Sequence, residues 1–173
     1  LARAVAQKLR EFGHQGPITL LGEEPHPPYQ RPPLSKAYLL GEMSSDRLHL
    51  RPRSFYEEKD IELRPDCRVT AIDRQAREIE LGDGSRLPYA RVVLATGARP
   101  RSLPAAIGGA LSGIYPIRTL TDIDAVSGEF GPGRHVLVVG GGYIGLEAAA
   151  VAAKRGLRVT LIEAAPRILQ RVA

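Results

Sequence analysis

Between His135 and Glu163 the chain runs through an apolar strand, a glycine turn, a helix, a second strand and an acid, in the order that a dinucleotide requires. The segment reads His135-Val-Leu-Val-Val-Gly-Gly-Gly-Tyr-Ile-Gly-Leu-Glu147, continues through an alanine-rich stretch to Arg155 and Gly156, and ends at Arg158-Val-Thr-Leu-Ile-Glu163. Gly140, Gly142 and Gly145 fill the three glycine positions of G-x-G-x-x-G. The first makes the turn, the second lets the backbone approach a pyrophosphate, and the third lets the helix pack closely on a buried strand. Tyr143 and Ile144 then open a helix whose free N–H groups and positive dipole end face the phosphates. Glu163 falls near the distance at which a carboxylate meets the adenosine ribose. A carboxylate there accepts from a free 2′-OH and repels a 2′-phosphate, so the pattern favours NADH over NADPH, softened by Arg167. The plain alternative is a βαβ unit whose glycines serve only packing, which leaves Glu163 without a role.

Composition narrows the classes. The chain has 173 residues, enough for one domain or two small ones, and its 43% apolar content is that of a globular protein. No apolar run approaches a membrane span, and the N-terminus does not resemble a signal peptide. A single Cys67 rules out a disulfide within the chain and suits a reducing cytoplasm. The net charge of +5 comes with scattered arginines, read either as a solvated surface or as a basic face that steers an acidic protein partner. Nucleic acid is not expected, because no basic stripe alternates with aromatics, Trp is absent and aromatics total 5%. His14, His26, His49 and His135 show no metal-ligand spacing, and no Ser-His-Asp or Cys-His pattern appears.

Elsewhere the pattern is that of a second, headless βαβ unit. Ala2, Val5, Leu9 and Phe12 recur at helical spacing before Gly13, and Ile18–Leu21 is a short apolar strand ending at Gly22-Glu-Glu24. The strand and glycine turn that would precede this helix are expected ahead of Leu1, in an incomplete chain. Pro25–Pro33 excludes regular helix or inner strand, and Leu34–Leu40 suggests a short helix before Gly41. Ile61–Leu63, Arg68–Ile72 and Glu78–Leu81 alternate with period two and predict antiparallel strands, with Gly82–Ser85 as a turn. Val92–Ala95 predicts a buried strand closing at Thr96-Gly97. Thr121–Val126 predicts a helix with Thr121 as a candidate N-cap.

Two dinucleotide folds in one chain suggest FAD with NAD. The segments Pro28-Tyr-Gln-Arg-Pro-Pro-Leu-Ser-Lys-Ala-Tyr38, Leu94-Ala-Thr-Gly-Ala-Arg-Pro100, Ile117-Arg-Thr-Leu120 and Val139–Glu147 resemble the NADH-dependent ferredoxin reductases that serve oxygenases. The resemblance implies an α/β fold with two Rossmann-like FAD/NAD domains of the glutathione-reductase-like type, both incomplete in this chain. Residues 1–118 would be the FAD-binding domain with a β-rich insert, and 119–173 the N-terminal half of the NAD-binding domain. Carried over by position, Glu23 would hold the FAD ribose and Val69 would meet the adenine through its backbone. Lys36 would sit beside the flavin ring near N5. Ala95, Thr96 and Gly97 would line the flavin cleft, with Arg118 reaching FAD and Arg31 a further neighbour. Glu147 would lie near the nicotinamide and approach Lys36.

The implied activity passes a hydride from NADH to FAD and then single electrons to a small acidic [2Fe–2S] ferredoxin or a rubredoxin, without a protein nucleophile. No cysteine lies around Pro33–Leu40, where disulfide reductases of similar architecture carry redox-active cysteine. Three further readings stay open: a fused oxidase or nitrite-reducing module as acceptor, a flavin-binding signalling protein of the apoptosis-inducing-factor type, and a fragment that binds no FAD stably.

Overall fold

A computed structural model describes residues 1–170 of the chain. Two compact units emerge, Leu1–Tyr29 with His49–Gly97, and Gln30–Leu48 with the chain from Ala98 onward.

In the first unit, helix α1 (Ala2–Glu11) leads into strand β1 (Ile18–Leu21), and helix α2 (Arg53–Glu58) into strand β2 (Ile61–Arg64). The two strands pair in parallel, Ile18 opposite Ile61 and Leu21 opposite Arg64. The residues on the predicted stripe of α1 are not its anchor. Leu9 and Phe12 are exposed, and Ala6 is the buried residue, packed with Tyr56 and Ile61 against Ile18, Leu20, Phe55 and Leu63. Arg10 then ties the end of α1 to the approach of β2. Its guanidinium donates to the carbonyls of Lys59, His14, Gly16 and Asp60 at 2.5–2.8 Å, matching the fixed fork of Arg donors to turn carbonyls. Ile61–Leu63 is thus a parallel neighbour of β1, not an antiparallel strand as its alternation suggested. The period-two pattern reports one buried face and says nothing about strand direction.

The antiparallel reading holds for the next stretch of chain. Strands β3 (Val69–Asp73), β4 (Glu78–Leu81) and β5 (Arg86–Pro88) form a meander, with Ile72 opposite Ile79 and Ile79 opposite Leu87. Asp83 closes the β4–β5 turn by accepting from the Ser85 N–H and hydroxyl at 2.9 and 2.7 Å. The strand expected at Val92–Ala95 is absent, and Val93 and Leu94 are 57% and 65% exposed. An apolar run becomes a strand only where neighbouring strands take its N–H and C=O groups, and none among the described residues does so.

The second unit is built on strand β6 (His135–Val139), helix α4 (Tyr143–Lys154) and strand β7 (Arg158–Ile162). The strands are parallel, His135 opposite Arg158 and Val139 opposite Ile162. α4 buries Ala148, Val151 and Ala152. β6 was expected to be buried, but Leu137 and Val139 stay 53% and 55% exposed, so one face of the strand lies open. Helix α3 (Leu120–Ser127) starts at Thr119, not Thr121. Thr119 Oγ1 accepts the Asp122 N–H at 3.1 Å while Asp122 accepts the Thr119 N–H at 2.7 Å, a reciprocal capping box. Both threonines have an aspartate three residues on. Burial decides between them: starting at Thr119 places Leu120 and Ile123, 2% and 0% exposed, on the inner face. Burying each such side chain contributes about 1.5–3 kcal/mol. Asp124, the acid that Thr121 would have used, accepts instead from the Tyr38 hydroxyl at 2.6 Å, and burial together with this bond pushes the phenol up to about 12.

Among the described residues no helix is long and apolar enough to cross a membrane, and no cluster of His, Cys, Asp or Glu has the arrangement of a metal site.

Candidate nucleotide and redox site

The glycine turn is assembled by backbone groups. Gly140 N–H donates to Ile162 O at 2.8 Å, which extends the β6–β7 ladder by one rung, and the chain then turns at a Gly140 φ of 109° that a side chain rarely adopts. Gly145 comes so close to this turn that a β-carbon on it would lie 2.0 Å from Gly140 O. Those two glycines are explained inside the protein. Gly142 is not: its φ of −82° suits any residue, and a β-carbon on it would meet nothing within 4 Å. The space in front of it is open, as the approach of a pyrophosphate to the backbone requires. Gly142 also begins α4 with no side chain capping the helix, and Tyr143 and Ile144, 59% and 45% exposed, stand on its first turn. The N-cap glycine thus offers the first N–H groups of α4 no capping side chain. These features fit a dinucleotide.

Glu163, just past β7, is placed by the same turn. One of its carboxylate oxygens accepts from Gly141 N–H at 2.6 Å and the other from Ala165 N–H at 2.8 Å. These two bonds hold the carboxylate beside the glycine turn. Gly141 was given no role in the sequence pattern. It is buried, and a β-carbon there would press on Ile168 at 2.9 Å and on Glu163 at 3.2 Å. The signal available in the sequence was the run of three glycines where the motif needs only the first and third of them.

Within the same unit, Lys36 and Glu147 meet. Lys36 Nζ lies 2.7 Å from one carboxylate oxygen of Glu147, and Ser35 Oγ donates to the other at 2.5 Å. Partial burial works against ionisation of Glu147, but the bonds from Lys36 and Ser35 together outweigh it and hold the carboxyl below its ordinary range. Lys36 keeps half of its side chain exposed and also donates to Pro32 O at 3.3 Å. Arg31 donates to Arg118 O at 2.7 Å, and Arg118 Nε donates to Ala98 O at 3.1 Å, so the proline segment and the residues after Gly97 are tied together by these two arginines.

In the first unit Glu23 is exposed beyond the C-terminal end of β1, 3.7 Å from Arg68, whose neighbour Val69 opens β3. An exposed acceptor at the carboxyl end of a parallel strand is the position that nucleotide ribose binding uses in such sheets. Ala95, Thr96 and Gly97 lie in irregular chain, with a Gly97 φ of 68°. Cys67 is a free, partly buried thiol whose N–H donates to Gly22 O at 2.7 Å.

A parallel βαβ unit with an open second glycine and a seated acid is the architecture of a dinucleotide-binding protein. The chain belongs to the pyridine nucleotide-disulphide oxidoreductase family, whose profile matches residues 2–173. It is 44% identical over 169 residues to a probable ferredoxin reductase of Castellaniella defragrans, covering 98% of this chain and 41% of that protein. It is also 44% identical over 170 residues to putidaredoxin reductase of Pseudomonas putida, covering 97% of this chain and 40% of that one. In the crystal structure of the covalent putidaredoxin reductase–putidaredoxin complex, a chain 43% identical superposes with a TM-score of 0.92, over 98% of this chain and 41% of that one. The resemblance to the ferredoxin reductases holds, and the chain spans about two fifths of the length of these relatives.

Proposed function

We infer that the protein of which this chain is part is an NADH-dependent flavoprotein reductase that hands electrons to a small iron–sulfur protein, a [2Fe–2S] ferredoxin or a rubredoxin, serving an oxygenase. The observation that carries this is the Gly142 turn with Glu163 seated beside it, in a chain of this family and this similarity. Residues 1–118 serve FAD and 119–173 begin the NAD domain; the last three of these lie outside the described residues. When bound, FAD accepts a hydride from NADH and releases electrons one at a time.

The side chains do the positioning. Gly142, Tyr143 and Ile144 present backbone N–H groups to the NADH pyrophosphate, Gly140 and Gly145 shape the turn that lets it approach, and Glu163 accepts from its ribose. Glu23 and the Val69 backbone hold the adenosine end of FAD, while Arg31, Ala95, Thr96, Gly97 and Arg118 line its inner part. Lys36 places a positive charge beside the flavin ring, and Glu147 holds that ammonium in place. A net charge of +5 favours an acidic partner, and the lone Cys67 fits a cytoplasmic setting.

The test is the visible spectrum of the full-length protein, mixed without oxygen with NADH and separately with NADPH. A flavin band that bleaches faster with NADH is expected. Glu163→Ala will keep the band but weaken NADH binding about tenfold or more, the loss of a hydrogen bond to a charged acceptor. Unchanged NADH affinity in that variant would remove the ribose assignment, and a colourless protein would remove the flavin reading altogether. Lys36→Met, which leaves Glu147 without its cation, will slow NADH-driven bleaching about tenfold while changing NADH affinity much less. Equal bleaching rates would end the role given to Lys36. Slow turnover with a persistent charge-transfer band would instead favour the signalling flavoprotein.

A further inference from the structure

The geometry points to Ser35 as a positioning residue that fixes the Glu147 carboxylate for Lys36, and so sets the orientation of the ammonium at the redox site. This rests on the hydride-accepting site inferred above. Three observations support it.

Ser35 is the polar residue buried among the apolar core, 5% exposed, and its hydroxyl is spent on one oxygen of Glu147 at 2.5 Å while Lys36 takes the other at 2.7 Å. Consecutive side chains on a regular helix diverge by about 100° and do not share a partner. Here the backbone departs from helical dihedrals at Lys36 (φ −127°, ψ −112°), and Tyr38 N–H reaches back five residues to Pro33 O at 3.0 Å. That wide turn swings two adjacent residues onto one carboxylate. Finally, the two partners are unequal as anchors. The Lys36 side chain is long and 51% exposed, so holding it in one geometry costs side-chain entropy. Ser35 is short, buried and has one rotor, so it holds the carboxylate plane and Lys36 is oriented by it.

The charge that bears on Glu147 among the described residues is that of Lys36. On the elements packed against α4, Glu42 pairs with Lys154, Arg155 donates to Leu39 O, Tyr38 is bonded to Asp124, and Arg158 and His135 bond each other on the β strands.

The experiment uses the full-length protein and two readouts. In carbon-13 spectra of glutamate-labelled protein, the Glu147 carboxyl signal, identified by its loss in Glu147→Ala, will titrate at a higher pH in Ser35→Ala, because a bond that favours the charged form is gone. In anaerobic mixing, Ser35→Ala will lower the limiting rate of bleaching by NADH about tenfold with NADH affinity unchanged, and will cost nothing further in a Glu147→Ala background. An unmoved titration, or losses that simply add in the double variant, overturns the role of Ser35 while the reductase reading stands. A wild-type protein whose flavin NADH does not bleach sinks that reading, and the role of Ser35 with it.

Discussion

Gly145→Ala will lower both the melting temperature and the affinity for NADH. A β-carbon at this position would sit 2.0 Å from Gly140 O and 3.2 Å from its carbonyl carbon, and both are backbone atoms of the turn. No side-chain rotation relieves the clash, so either α4 or the glycine turn must shift by about an ångström or more. Overpacking of this kind costs about 1–3 kcal/mol, and more where backbone is struck, and the melting temperature falls accordingly. On the reading proposed above, in which this turn receives the pyrophosphate, NADH binding falls with stability. Calorimetry and a binding titration on the full-length protein check both halves. A variant as stable as wild type would show that the turn is not as tightly built as described.

Gly142→Ala will separate the two effects. Its backbone angles suit alanine and its β-carbon faces open space, so folding loses nothing. Replacing glycine by alanine at a compatible position gains about 0.4–1 kcal/mol by restricting the unfolded chain. The methyl group nevertheless occupies the open space that the proposed reading gives to the pyrophosphate. NADH affinity is therefore expected to fall about a hundredfold, near 2.7 kcal/mol, while the melting temperature holds or rises slightly. The same two measurements apply. If affinity survives, the open space before Gly142 does not receive the phosphates, and the assignment of the turn fails at its central point.

The contrast between these two glycines shows what a sequence conveys. Motif spacing already divided the roles of Gly140, Gly142 and Gly145, and strands β6 and β7 followed from their apolar runs. The coordinates add the clearances: a β-carbon on Gly145 would strike Gly140 O, and one on Gly142 would meet nothing within 4 Å. The capping residue of α3 was ambiguous in principle, since Thr119 and Thr121 each precede an aspartate by three residues, and burial of Leu120 and Ile123 resolved it. Strand direction was likewise invisible: Ile61–Arg64 alternates as an antiparallel strand would, but pairs in parallel with β1. Val92–Ala95 has strand composition without a pairing partner among the described residues, and composition cannot supply one. The approach of Glu147 to Lys36 came from resemblance alone. The bond from Ser35 could not be foreseen, because it depends on the wide turn at Lys36.

The two backbone bonds on Glu163 bear on how this scaffold could be retooled. Its carboxylate is clasped by Gly141 and Ala165 at 2.6 and 2.8 Å, so it is not a side chain that can swing aside for a bulkier visitor. On the ribose assignment proposed above, adding arginines nearby to receive a 2′-phosphate on the adenosine ribose would leave a fixed negative charge facing that phosphate. An engineer would have to take out the clasp itself and then find another way to brace the loop it steadies. If Glu163 is the ribose acceptor proposed above, cofactor preference and loop architecture are one trait, and selection on either would drag the other along.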